Sequence, residues 1–229
     1  IAYFAPQLEG LLVPMKFHGH VEGTVDNLKG EIQQLTFGES GMLRGKVKVK
    51  GLPNLESTFI DADVKQLHTT LSDAETINLP TPDGYVQLVF PDGLSNISFI
   101  DFKGRFTGFV NDFVTYGKIE TALGVIDADI NLKTGDELEY SGSLATKRFQ
   151  LGKLLNIEKT IQSVGFHLDL VGQGTELNTL YVKASGNIDH FGLLDYDYQN
   201  LAIDGEFREK VFNGNVSVND TNVQFAFNG

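Results

Sequence analysis

The chain has 229 residues, of which 41% are hydrophobic, carries a formal net charge of −12 at pH 7 and contains no cysteine. Length and apolar content exclude a disordered chain and suffice for one large β domain or two ordinary ones. The acidic charge argues against binding to a nucleic-acid backbone, and the missing cysteines exclude disulfides and cysteine-ligated zinc. The sequence begins at Ile1 rather than at a methionine and stops inside an alternating pattern, so we interpret it as a piece of a longer polypeptide.

The first part of the chain predicts strands. Residues 1–14 are apolar and are interpreted as an incoming connection. Alternation of polar and apolar residues then predicts four strands, at residues 17–25, 30–37, 43–49 and 58–64. Between Leu67 and Ile77 the apolar residues recur at helical spacing, which predicts a short helix. Residues 78–95 predict a loop that contains a small strand near 85–90.

The pattern of residues 17–25 returns at residues 102–110. Phe102 lies 85 residues after Phe17, and in both segments Phe or Val alternates with Gly on one parity of the strand. Helical spacing also returns at Leu151, 84 residues after Leu67. Because strands and helix recur together, we predict approximate repeats, at 15–96, 97–163 and 164–229. Other strands are predicted at 114–121, 125–132, 139–146, 164–170, 177–188, 201–207, 211–218 and 223–227, with residues 196–200 between strands.

These elements indicate an all-β fold of about 14 antiparallel strands with two short helices, because most turns are tight. Each strand has one apolar face that something must cover. A β-sandwich, a closed barrel and an open, curled sheet all satisfy this requirement, and physical grounds alone favour the sandwich. Glycines on the apolar parity would ease curling and leave room along that face.

Several segments in order resemble one known family. They are residues 102–113, 121–124, 127–132, 140–144, 149–155, 198–205, 212–214 and 220–222. The series resembles the C-terminal half of TamB-like proteins of the AsmA-like superfamily, of the type found in Bacteroidota. The resemblance covers residues 97–229, and residues 15–77 more loosely.

The resemblance implies a β-taco, an elongated and curled antiparallel sheet with an open apolar groove running continuously over residues 15–229. It also implies a location in the periplasm, with the full-length protein anchored in the inner membrane. The implied function is to conduct phospholipid acyl chains between the inner and outer membranes. The alternative is a scaffold for outer-membrane protein assembly or secretion with a barrel partner of the Omp85 type.

In this groove, acyl chains would lie against residues of the apolar parity, with phosphate head groups near the open edge. The expected lipid-binding residues are Phe17, Val21, Val25, Phe102, Phe106, Val110, Phe166, Leu168 and Leu170. The alternative interpretation of each is an ordinary core residue. The segment 223–227 is a candidate edge strand, and open edges pair readily, so the isolated chain can also dimerise.

No motif predicts an enzyme, a cofactor or a metal site. His18 and His20 share one face of a strand, but no third ligand is evident, and exposed histidines are the simpler interpretation. Carboxylates also pair on one face at three places, Asp61/Asp63, Asp127/Asp129 and Asp195/Asp197, where exposed strand faces and turns are the simpler explanation. A carbohydrate-binding sandwich would need exposed aromatic residues, for which Tyr85, Tyr196 and Tyr198 are weak candidates.

Overall fold

The computed structural model describes residues 14–52, 54, 57–81, 84–87, 94–135, 137–174 and 179–229. Within these ranges, thirteen strands form one open antiparallel sheet and lie side by side in the order in which they occur in the chain. In sheet order they are β1 (Met15–Thr24), β2 (Asn27–Phe37), β3 (Gly41–Lys50), β4 (Phe59–Thr69), β7 (Ile100–Phe109), β8 (Asp112–Thr121), β9 (Gly124–Thr134), β10 (Leu138–Phe149), β11 (Ile161–Gln173), β12 (Tyr181–Leu193), β13 (Tyr196–Arg208), β14 (Val211–Asn219) and β15 (Gln224–Asn228). A separate hairpin of β5 (Asn78–Thr81) and β6 (Gly84–Gln87) lies between β4 and β7 in the sequence.

The two helices are short and follow β4 and β10. They are α1 (Leu71–Glu75) and α2 (Leu151–Leu154). The predicted all-β class, the antiparallel pairing and the two short helices are therefore confirmed. The thirteen strands share one hydrogen-bonded sheet, whereas the alternative sandwich divides its strands between two sheets.

Some predicted boundaries are wrong. Leu67 lies in β4 rather than in a helix, because the helix begins only after Thr70, whose side chain accepts a hydrogen bond from the backbone of Asp73. Residues 196–200 belong to β13, because the turn before it is made by Leu194 and Asp195, both with positive φ. Parts of the segments predicted as strands at 85–90 and 177–188 lie outside the described residues.

The chain divides into two compact units, Ile1–Phe113 and Val114–Gly229, which are described separately below as unit 1 and unit 2. Within the described ranges, neither helix has the length and apolar content needed to span a bilayer. The predicted repeats remain a prediction.

Few apolar side chains are buried in a sheet of this kind. Among the described residues, those that are buried are Phe37, Ala74, Leu123, Ala128, Phe149, Val164 and Val218. Ala74 lies in α1, and α2 packs against β11, so each helix adds burial near one end of neighbouring strands. Most other apolar residues of the strands are covered only in part, which leaves an apolar face in each unit.

Candidate functional site

In unit 1, strand register places apolar residues of five strands on one face. The first row of cross-strand neighbours is Phe17, Leu35, Leu43, Leu67 and Phe102. A second row is Val21, Gly30, Val47, Ala62 and Phe106. Directly opposed residues in a sheet point to the same side, so these rows form one continuous surface, here called the unit-1 apolar face.

Four of the predicted lipid-binding residues therefore lie together on the unit-1 apolar face. They are Phe17, Val21, Phe102 and Phe106. Val25 and Val110 lie just outside these strands, because β1 ends at Thr24 and β7 ends at Phe109, so the predicted strand ends are wrong and the lipid contact of the two valines stays a prediction. Both valines lie in tight turns, where strand alternation no longer decides which way a side chain points.

In unit 2, the other three predicted residues lie on one face of β11. Leu168 belongs to a row formed by Ala128, Leu144, Leu168, Gly186, Ile203, Val216 and Phe227. Leu170 lies between Gly142 and Ala184, and Phe166 is paired with Ile188. We call this surface the unit-2 apolar face.

Both apolar faces are open to solvent. Phe17 and Val21 on β1 are each 50% exposed, as is Phe227 on β15. Inner residues such as Phe106 and Leu168 are half-buried. Phe106 gains part of its cover from Phe113, whose ring centroid is 4.5 Å away. Contiguous apolar residues that stay exposed are typical of surfaces at which a protein contacts another molecule.

The opposite face of unit 1 carries a charged ladder. Its most regular row is His20, Glu31, Lys46, Asp63 and Arg105. Glu31 and Lys46 form an ion pair at 3.7 Å, and Asp61 binds Arg105 at 2.8 Å. The charges neutralise one another across strands and keep this face wet, which distinguishes it from the apolar face.

The polar face of unit 2 contains a shallow depression of about 580 Å³. Its floor follows the cross-strand neighbours Asp129, Ser143, Asp169 and Ser185, where two short serines alternate with two carboxylates. Its lining also includes Val114 and Val171, together with Gly142 and Leu170 of the apolar parity, so the depression is not purely polar.

Two glycines of the apolar parity in unit 2, Gly142 and Gly186, lie where a side chain would meet the backbone of the neighbouring strand. Gly142 has φ +136°, and a Cβ there would lie 2.1 Å from the carbonyl oxygen of Asp129 on β9. Gly186 has φ +142°, and a Cβ there would lie 2.3 Å from the carbonyl oxygen of His167 on β11. These glycines allow a backbone conformation and a close strand contact that other residues resist.

Sequence reasoning missed a buried carboxylate in α1 of unit 1. Asp73, only 4% exposed, accepts hydrogen bonds from the backbone N–H groups of Glu39 (2.8 Å) and Ser40 (2.9 Å) and from the Ser40 hydroxyl (2.6 Å). Burial raises the pKa of Asp73, but these hydrogen bonds outweigh burial and lower the pKa to about 2. The spacing of Thr70 and Asp73 is a helix-cap signal that could have located this residue.

Two comparable contacts tie strand ends together in unit 2. The Tyr196 hydroxyl donates to Asp220 at 2.6 Å, a hydrogen bond that raises the pKa of Tyr196 and lowers that of Asp220. His190 places Nδ1 3.0 Å from Asp197 and Nε2 3.1 Å from the carbonyl oxygen of Lys147.

The polar candidates from the sequence are found in ordinary surroundings. His18 and His20 are exposed on β1, opposite Gln34 and Glu31. Asp127 forms an ion pair with Lys118 at 3.6 Å, and Asp195 lies in a turn. No group of three or more metal-ligating side chains is close enough to hold an ion within the part of the chain that the structure describes.

The dimensions of the apolar rows fit a lipid chain. Five strands have four spacings of roughly 4.8 Å, so a row across β1–β4 and β7 is about 19 Å long. One leaflet of a bilayer is about 15 Å thick in its hydrocarbon part. The length of a row is therefore comparable to that of an extended acyl chain.

Comparison of the chain with protein-family models, curated proteins and solved structures finds no significant match.

Proposed function

We propose that the chain is a segment of a periplasm-spanning bridge that binds phospholipid acyl chains on its apolar faces and conducts them between the inner and outer membranes. The observation that carries the proposal is the register of the strands, which assembles one partly exposed apolar row from Phe17, Leu35, Leu43, Leu67 and Phe102. Covering such a row with acyl chain is favourable by about 0.8 kcal/mol for each methylene group buried.

Three features favour a lipid, rather than other parts of the protein, as what covers these faces. The rows are continuous across neighbouring strands, which suits a ligand that slides. The first row consists only of large apolar side chains and the second mixes large and small ones, as in Val21, Gly30 and Val47, so together they form an extended surface rather than isolated pockets. Charges lie on the opposite face, where Lys46 pairs with Glu31 and Asp61 pairs with Arg105. The two described apolar rows of unit 1 contain no charged residue that would hold a head group in one place.

The test is photo-crosslinking of the 229-residue chain with vesicles that contain radiolabelled phosphatidylethanolamine. A photoreactive phenylalanine replaces Phe106 in unit 1 or Leu168 in unit 2. The matched controls carry the same probe at the adjacent residues Arg105 and His167, which point to the opposite face. We expect labelled lipid at Phe106 and Leu168 and little at the controls; equal labelling of both faces, or none on either, contradicts the proposal.

The second candidate function is a scaffold that guides strands of outer-membrane barrel proteins with an Omp85-type partner. The observation in its favour is that β1 and β15 are the terminal strands of the sheet, each with one edge unpaired in the described residues. An extended segment can add to such an edge by backbone hydrogen bonds. Capture of unfolded barrel protein by the photoreactive chain, without capture of lipid, would favour this function.

A further inference from the structure

A line of bulges crosses the sheet of unit 1. The strand register shifts at each of the junctions β1–β2, β2–β3, β3–β4 and β4–β7, and each shift adjoins the one in the next junction. A bulge inserts a residue into one strand and re-aims the side chains around it, and bulges are frequent beside functional sites. The side chains along this line are therefore worth reading as a group.

The inserted residues are polar and lie on the charged face of unit 1. In β2 and in β4, two neighbouring polar residues occupy the place where β3 has only Arg44. In β4 these two are flanked by Val64 and Leu67, which belong to the apolar parity, so the pair points to the other side. The resulting group, here called the bulge row, consists of Gln33, Gln34, Arg44, Lys65, Gln66 and Lys103, all exposed.

The bulge row contains three cations and no carboxylate. Within the part of the chain that the structure describes, none of Arg44, Lys65 and Lys103 forms an ion pair.

The rows on either side of the bulge row do not offset this charge, because each is balanced in itself. One row contains Lys46 and Arg105 together with Glu31 and Asp63, and the other contains Lys16 and Asp101. The excess of positive charge along the bulges is thus local, in a chain whose formal net charge is −12. A local field of this sign attracts anions.

The three cations are close enough to share one ligand. Arg44, Lys65 and Lys103 lie on three successive strands of the sheet, so their backbones span roughly 10 Å. A guanidinium group binds phosphate oxygens in a bidentate manner, and ammonium groups add compact charges beside it. The side-chain amides of the row add further N–H donors. Several donors and three cations suit a group with more than one negative charge and several acceptor oxygens.

We propose that the bulge row of unit 1 is a binding site for a phosphate group, in which Arg44 binds the phosphate oxygens and Lys65 and Lys103 supply flanking charge. The site lies on the face opposite the unit-1 apolar face, so it does not rest on lipid binding there. A soluble phosphate compound and the head group of an anionic phospholipid present the same chemistry, and the experiment separates these two sources.

The first readout is a titration of the isotope-labelled 229-residue chain with pyrophosphate at constant ionic strength, followed by the NMR shifts of backbone amides. The row variant carries Arg44→Gln, Lys65→Gln and Lys103→Gln. The matched control carries Lys29→Gln, Lys48→Gln and Lys50→Gln, which remove the same charge from the same face and leave the bulge row intact. Unshifted amides elsewhere in the spectrum show that each variant is folded.

We expect saturable shifts centred on residues 44, 65, 66 and 103, binding that is about tenfold weaker in the row variant, and unchanged binding in the control. Equal weakening in both variants shows a general effect of net charge and overturns the proposal. Oligoglutamate that competes as well as pyrophosphate shows that the row does not select phosphate, and this result also overturns it.

The second readout is co-sedimentation of the same three chains with vesicles of phosphatidylglycerol or of phosphatidylcholine. A preference for phosphatidylglycerol that is lost in the row variant and kept in the control assigns the phosphate to a lipid head group. Pyrophosphate binding that depends on the row, without such a preference, assigns it to a soluble compound. The proposal fails if neither pyrophosphate nor phosphatidylglycerol binding depends on the bulge row.

Discussion

At the scale of single residues, the most consequential side chain is Asp73, because its carboxylate fastens the 38–40 turn to α1. Without this carboxylate, the groups that donate hydrogen bonds to it would have no acceptor. A buried donor without an acceptor lowers the stability of the fold by more than the loss of a surface contact does. The lowering of its pKa from 3.8 to about 2 corresponds to about 2 kcal/mol of stability at neutral pH.

We therefore expect Asp73→Asn to lower the free energy of unfolding by about 2 kcal/mol at pH 7, measured by urea denaturation. The control is Asp112→Asn, at an exposed carboxylate at the start of β8, which should change stability little. Since the pKa of Asp73 is lowered in the folded state, its contribution is complete above about pH 4 and is lost as the pH falls toward 2. A difference between Asp73→Asn and the unsubstituted chain that persists at pH 2 would contradict this account.

Sequence reasoning at this scale identified which parity of a strand is apolar but not where a strand ends. Phe17 and Phe102 were assigned to the right face because alternation alone determines the side. Val25 and Val110 continue the same pattern in the sequence but lie in turns, whose positions depend on pairing with the next strand. Asp73 was missed because its partners are more than thirty residues away in the sequence.

At the scale of the strand, glycine determines how closely neighbours approach. Gly142 on β10 is held at φ +136° between Ile130 and Leu170, with no space for a Cβ. Its backbone conformation is one that residues with a side chain rarely adopt, so the strand requires glycine there. Gly135, in the turn after β9, has no positive φ, and a Cβ there would meet only an ordinary contact at 3.9 Å.

We expect Gly142→Ala to destabilise the chain by at least about 1 kcal/mol, because the native conformation is incompatible with a side chain. Gly135→Ala should be neutral or slightly stabilising for the opposite reason. Thermal unfolding followed by circular dichroism measures both variants. Equal effects of the two substitutions on the unfolding temperature would contradict this account, because they would mean that Gly142 is not required for its backbone conformation.

At the scale of the whole chain, the sheet grows by addition of successive strands. Among the described strands of the large sheet, each one pairs with the strand that follows it in the chain, except that β4 pairs with β7 and the β5–β6 hairpin between them is left out. The all-β class and the antiparallel pairing could be predicted from alternation and tight turns. The choice of one sheet over a sandwich could not, because an apolar face looks the same in the sequence whether a second sheet or another molecule covers it.

This nearest-neighbour arrangement predicts how far a local defect spreads. Stability in a structure whose elements contact only adjacent elements is a sum of local terms, so a weakened contact should raise opening nearby and leave distant strands unchanged. In hydrogen–deuterium exchange, Asp73→Asn should therefore accelerate exchange in α1 and at the facing ends of β2 and β3. Exchange in β11, β12 and β13 of unit 2 should match that of the unsubstituted chain. Faster exchange in every strand would instead show that the thirteen described strands of the sheet open as one cooperative unit, and the description by local terms would then fail.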